Sequence, residues 1–259
     1  MKLKLYQVDA FTKNIFNGNP AAVVPLENWL YDSVMQNIAA ENNLAETAFF
    51  VLEDSGYRIR WFTPTSEVDL CGHATLASSF VLFNILNFTE NKIEFNSRSG
   101  KLIVTKENEL ISLNFPARNP KPIEFDEILI AALGVKPSEI LFDKSTICVF
   151  ENEEIVRKLR PQIKDFLKLN THGVIITSQG NDVDFVSRFF APDVGIDEDP
   201  VTGYAHTLLI PYWAKRLNKT KLNALQVSKR GGELFCEYLD ERVKISGNAA
   251  LYLEGEISI

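Results

Sequence analysis

The chain is poor in the residues that usually announce metal or cofactor chemistry. Its 259 residues include only three cysteines and three histidines. Cys71, Cys148 and Cys236 are odd in number and lack metal-ligand spacing, so they read as reduced thiols rather than a disulfide frame. No Gly-rich phosphate loop, Ser–His–Asp signature or His/Cys cluster is present, and neither a cofactor nor a metal is expected. Positive charge is also short. Lys and Arg number 27 against 34 Asp and Glu, a formal net charge of −7. Nucleic acid is therefore not an expected partner, because phosphate binding needs a basic face. No uninterrupted apolar run approaches the roughly 20 residues of a membrane span. The opening Met1-Lys2-Leu3-Lys4-Leu5-Tyr6-Gln7-Val8-Asp9 alternates like a strand and lacks the apolar stretch of a signal peptide. These shortages point to a cytoplasmic protein with no membrane partner.

What the chain does have is one pattern written twice. Phe62-Thr63-Pro64 leads to Asp69-Leu70-Cys71-Gly72-His73-Ala74-Thr75-Leu76, and Phe190-Ala191-Pro192 leads to Glu198-Asp199-Pro200-Val201-Thr202-Gly203-Tyr204-Ala205-His206. Each copy is a strand ending in Phe-x-Pro, an acidic loop, and a Gly-polar-Ala step that opens an apolar helix. Glycine at such a step lets backbone approach a ligand, and the free N–H groups of the next helix attract an anion. Two copies suggest an internal dyad holding a small acidic substrate between two helix starts.

Apolar residues make up 46% of the chain and charged residues 24%, the balance of a packed globular core. Short strands dominate the pattern, and helices are expected at 31–43, 71–86, 125–133, 153–168 and 203–217. The helices at 71–86 and 203–217 are apolar almost all round, so each is expected to be buried on every side. Pro211 should bend the latter unless it falls in the first turn. Pro116, Pro120 and Pro122 mark a linker, which separates a half at 1–115 from a half at 123–259 whose final residues could cross back to the first. The expected architecture is α+β: two pseudo-symmetric domains, each a curved, mostly antiparallel sheet around a central helix.

Glu46 lies between a helix end and an apolar strand. Lost hydration there should raise its pKa and suit it to take and return a proton; the plainer alternative is a strand-edge glutamate facing water. His73 fills the polar slot of the first helix start, where it either meets a substrate carboxylate or simply caps the helix. Asp199 precedes Pro200 at the second, with Glu198 an equal candidate for the acid that a helix dipole favours. His172 reads as a turn residue, and His206 as a support for the site. Cys71 invites a two-thiol mechanism, but the loop 190–206 supplies no second cysteine.

These segments resemble the phenazine-biosynthesis PhzF-like family. The likeness rests on Val8-Asp9-Ala10-Phe11-Thr12, Gly18-Asn19-Pro20-Ala21-Ala22-Val23, Asn43-Leu44-Ala45-Glu46-Thr47, Cys71-Gly72-His73-Ala74-Thr75, Glu198-Asp199-Pro200-Val201-Thr202-Gly203, Pro211-Tyr212-Trp213 and Ser228-Lys229-Arg230-Gly231-Gly232. The resemblance implies the diaminopimelate-epimerase-like fold, a cleft site, a homodimer and no cofactor. It implies an isomerase whose best-known relatives move a proton on a dihydro-hydroxyanthranilate. By matching motif, Glu46 is the proton carrier, with His73 and Asp199 as polar partners. Gly72, Thr202, Gly203 and Tyr204 are the substrate-binding residues. Many relatives have serine where this chain has Tyr204, so that side chain could fill part of the pocket or bind a different carboxylate substrate. An amino-acid racemase or epimerase on the same fold, and a binding protein that keeps the fold without turnover, are the alternatives.

Overall fold

The computed structural model describes residues 1–53 and 56–259. It divides into two compact units, Met1–Phe115 with Ile245–Ile259, and Pro116–Lys244. The helices are α1 (Asp32–Asn42), α2 (Gly72–Asn84), α3 (Glu127–Leu133), α4 (Glu153–Lys158) and α5 (Gly203–Leu217).

In the first unit, strand Lys2–Ala10 pairs antiparallel with both Ala249–Ser258 and Asn19–Leu26. Asn19–Leu26 then runs parallel to Glu46–Glu53, with α1 as the crossover, as a parallel connection requires. Glu46–Glu53 turns back antiparallel to Gly56–Phe62, which in turn lies parallel to Lys92–Ser97 with α2 between them in sequence. Met35, Phe49 and Phe62 close a core beside α1. Helix α2 is buried as its apolar circumference predicts, and it packs on the strands at Lys2–Ala10, Asn19–Leu26 and Glu46–Glu53. Its polar Thr75, Ser78 and Ser79 are satisfied by bonding back to the carbonyls of Cys71, Ala74 and Thr75.

The second unit repeats this order. Ser145–Val149 is parallel to Val174–Gln179, with α4 in the crossover; Val174–Gln179 is antiparallel to Phe185–Ala191; and Phe185–Ala191 is parallel to Lys221–Gln226, with α5 between them. In both units antiparallel pairs outnumber parallel ones, as the α+β reading expects. The doubled sequence pattern is thus a doubled topology: a strand, its antiparallel partner, then a buried helix begun at glycine.

One expectation needs correction. The helix expected at 153–168 stops at Lys158, and Ile163–Lys168 is a separate 3₁₀ turn. Pro161 disfavours helical backbone at Arg160 and has no N–H to continue the ladder. Pro211, by contrast, does not end its helix, and α5 runs on to Leu217. The carbonyl that loses its donor at the proline is that of Thr207, four residues back. The backbone N–H of Arg118 takes that place at 3.1 Å, so the segment after Phe115 repairs the helix it crosses. No helix among the described residues is long and apolar enough to cross a membrane.

Candidate active site

Glu46 is the first residue of its strand, opposite Ala21 in the parallel register. Two local devices place it. Asn43 ends α1 in the left-handed conformation at φ 48°, its N–H closing on Ala39, and Asn42 Nδ2 reaches Thr47 Oγ1 at 3.0 Å. Alternation then buries Thr47 on one face and turns Glu46 to the other.

His73 is the second residue of α2. Its Nε2 stands 3.1 Å from Glu46 Oε2, with the two side chains 7% and 12% exposed. The contact is a close ion pair rather than a well-aimed hydrogen bond, because Oε2 lacks a hydrogen bond of good geometry. On the other ring nitrogen, Asn19 Nδ2 approaches His73 Nδ1 at 3.2 Å and Cys71 Sγ lies at 3.5 Å.

The expected rise in the Glu46 pKa does not occur. Burial does push it up, but the facing His73 outweighs burial and leaves the carboxyl below its ordinary value. Burial likewise opposes charge on His73, yet its neighbours hold it well above the usual imidazole range. Burial, with the Glu46 charge, lifts the Cys71 thiol to about 11, so that sulfur is protonated at neutral pH. Cys71 and Glu46 are the neighbours that raise His73. The pair is carboxylate and imidazolium, and Cys71 is a neutral thiol beside them.

Gly72 opens α2 with Cys71 as its extended N-cap. No side chain caps the helix and no acid stands in its first turn. The helix start keeps its attraction for an anion.

The second unit assembles the other expected residues. Asp199 ends strand Ile196–Asp199 and is buried. Thr202 Oγ1 donates to Asp199 Oδ2. Gln226 binds this turn from the adjoining strand: its Nε2 donates to Asp199 O at 2.7 Å and Thr202 Oγ1 at 3.1 Å, and its Oε1 accepts from Thr202 N at 2.8 Å. Glu198 is occupied elsewhere, in a two-pronged pair with Arg188 at 2.7 and 3.0 Å. That separates the two acids the sequence left equivalent, and Asp199 is the one tied to the start of α5.

Gly203 opens α5, again with no side-chain cap and no acid in the first turn. The ring of Tyr204 meets His172 edge-on at 5.5 Å and lies 5.7 Å from the Arg118 guanidinium, while its hydroxyl accepts from Ser145 Oγ at 3.2 Å. His172, Lys144 and Phe142 also line a cavity of about 530 Å³ in this unit. His206 donates from Nδ1 to Thr202 O at 2.8 Å, a support for the helix start.

Two polar residues of these clusters escape the sequence reading, Asn19 and Gln226. Asn19 was visible only as part of a turn, Gly18-Asn19-Pro20, and Gln226 only as a strand residue.

The family model for phenazine biosynthesis-like proteins, PhzC-PhzF, matches residues 8–255. The chain belongs to this family. It is 51% identical to an uncharacterized isomerase of Pseudomonas aeruginosa, over 100% of both chains. Among solved structures, a phenazine biosynthesis protein of the PhzF family from Enterococcus faecalis is 51% identical, covers 100% of both chains and superposes with a TM-score of 0.99. A predicted epimerase from Pseudomonas aeruginosa, 19% identical over 98% of this chain and 99% of its own, shares the fold with a TM-score of 0.76.

Proposed function

We propose that this PhzF-family chain is a cofactor-independent isomerase that moves a proton on a small, cyclic carboxylate through the single base Glu46. The observation that carries the reading is the ionised, dry Glu46–His73 pair beside the uncapped, acid-free start of α2. A carboxylate already ionised at neutral pH can remove a C–H proton made acidic by conjugation with the substrate carboxylate. The electron pair left behind spreads into that conjugated system. Negative charge moves from Glu46 to substrate, while the His73 cation and the Gly72 and His73 amides stay where they are to balance it. Glu46, now a carboxylic acid of low pKa, returns the proton to another carbon, and no atoms are gained or lost.

Asp199 is the second polar partner in this reading, and Thr202, Gly203 and Tyr204 are substrate-binding residues. In this reading Tyr204, the aromatic residue after the glycine that starts α5, sets the substrate class. A homodimeric, cytoplasmic enzyme of biosynthesis completes the proposal, and sedimentation of the purified chain tests the dimer.

The deciding experiment follows solvent deuterium into a panel of cyclic and aromatic carboxylates. Glu46→Gln should lower incorporation by about 10² or more, the contribution of a general base. Undiminished incorporation in that variant sinks the reading. Inversion of a chiral α-amino acid would favour an epimerase instead. Binding that survives equally in Glu46→Gln, His73→Ala and Asp199→Ala without any exchange would favour a non-catalytic protein.

A further inference from the structure

Cys71 is left idle by the isomerase reading, although it touches the charged pair directly. Its Sγ lies 3.5 Å from His73 Nδ1 and 4.0 Å from Nε2, Nε2 lies 3.1 Å from Glu46 Oε2, and ligand atoms of all three residues fall within 4.8 Å of one another. Four-coordinate zinc places nitrogen and oxygen at about 2.0–2.2 Å and sulfur at about 2.3 Å, which sets neighbouring donors roughly 3.3–3.7 Å apart. The 3.1 Å edge between Nε2 and Oε2 is already close to that spacing, while Sγ now lies nearer Nδ1 than Nε2 and reaches a cation at Nε2 when the Cys71 side chain turns toward it. The geometry points to a second capacity of this site: Glu46, Cys71 and His73 bind a thiophilic divalent cation of the zinc class.

The donor set decides the class. One thiolate and one imidazole with a single carboxylate suit zinc and its softer neighbours, while magnesium and calcium need several oxygens. Backbone geometry holds the donors ready, since Cys71 and His73 flank the first residue of α2 and Glu46 is fixed by its strand. Three protein ligands leave a fourth position for water or an anion.

Binding is an exchange of cation for protons. Cys71 releases its thiol proton and His73 its Nε2 proton to solvent, and each freed lone pair forms a bond to the metal, with no change of oxidation state. The Nδ1–H that remains on the imidazole finds its acceptor when the Asn19 amide turns over to present Oδ1, the outer contact that metal-bound histidines usually make. A bound cation ties up Glu46 and so stops proton transfer. That last consequence rests on the isomerase reading; the binding does not.

Cobalt(II) is the probe, added to the purified full-length chain after chelator treatment. The expected result is a thiolate-to-cobalt band in the near ultraviolet, with visible bands of tetrahedral intensity that zinc bleaches. Cys71→Ser should lose the near-ultraviolet band, and Cys236→Ser, a substitution in a separate strand, should keep it. Asn19→Ala should weaken binding by about 10–100-fold through loss of the outer contact. Circular dichroism of each variant separates lost ligation from lost folding. No thiolate band in the wild-type protein at millimolar cobalt, or a band that persists in Cys71→Ser, overturns the proposal. In a parallel arm, zinc should abolish deuterium incorporation and a chelator restore it. If incorporation continues with cobalt visibly bound, the blocking consequence falls. If no incorporation occurs without metal, the isomerase reading fails and the spectra still decide the cation site.

Discussion

Asn19 Nδ2 meets His73 Nδ1 at 3.2 Å, while Glu46 Oε2 stands 3.1 Å from Nε2 on the other side of the same ring. An amide nitrogen only donates, so in this arrangement Nδ1 accepts and the neutral imidazole carries its proton on Nε2, toward Glu46. When the ring is cationic, the amide must offer its oxygen instead. The charged ring of the ion pair is therefore matched by the amide orientation that puts Oδ1 toward Nδ1.

The first prediction concerns pH and is made for metal-free protein. Glu46 titrates below its ordinary 4.5 and His73 well above its ordinary 6.5. Activity should hold across the interval between, falling on the acid side as Glu46 is protonated and on the alkaline side as His73 loses its charge. In His73→Gln the cation is gone and burial prevails, so the acid limb of deuterium incorporation should move up past 4.5. An acid limb that stays in place would show that His73 does not control Glu46. Stability follows the same signs. The lowered Glu46 stabilises the fold above 4.5, and the raised His73 stabilises it below 6.5, so the pair contributes most between those values.

The second prediction concerns Gln226, which is 1% exposed and hydrogen-bonds three groups of the Asp199–Thr202 turn. Gln226→Leu keeps much of the volume and removes those three buried hydrogen bonds. Stability should fall by about 1–3 kcal/mol in urea titration. Turnover should fall with it, while the acid limb set by Glu46 remains where it was. A moved acid limb would contradict a role confined to the second unit.

These residues also show where sequence reading stops. Gly72 and Gly203 as helix openings, and the all-round apolar character of α2, were visible because they depend on local pattern alone. The charge state of Glu46 was not. Burial was one of two readings the sequence allowed, and the outcome turns on His73, which strand register and helix packing bring to it. Glu198 and Asp199 are equivalent as letters and become distinct only because Arg188 claims the first. Pro211 was legible as a residue that should bend its helix, but not the donor from Arg118 that takes up the Thr207 carbonyl.

The third prediction tests the turn that delivers Asn19. Gly18 has φ +66°, and a Cβ there would sit 2.2 Å from the Ala10 carbonyl oxygen and 2.7 Å from Thr12 Cγ2. The Ala10 oxygen cannot yield, since Ala10 pairs with Asn19 in the sheet. Gly18→Ala should cost more than the roughly 1–2 kcal/mol of left-handed backbone strain alone. It should also shift the ring resonances of His73 in proton–nitrogen spectra. A destabilised variant with unmoved His73 signals would mean that the turn supports the sheet without setting the imidazole.

The fourth prediction isolates His206. Burial depresses its pKa to about 4 against an ordinary 6.5, with the hydrogen bond to Thr202 O resisting only in part. Its Nε2 has no hydrogen-bond partner among the described residues, which fits a neutral ring donating from Nδ1. As pH falls through 6.5 the unfolded chain takes up a proton that the folded chain refuses until about 4. The stability present above 6.5 is therefore lost on acidification, by roughly 3 kcal/mol in full. His206→Phe keeps a ring beside Phe185, 5.8 Å away, and removes the titration. The loss of stability between about pH 7 and about pH 5, read from urea midpoints, should be smaller in the variant than in the wild type. The remaining acid sensitivity would then belong to the carboxylates, since His73 titrates with the opposite sign and loses its contribution only as pH rises. An unchanged slope in His206→Phe would place the acid-labile group elsewhere in the fold.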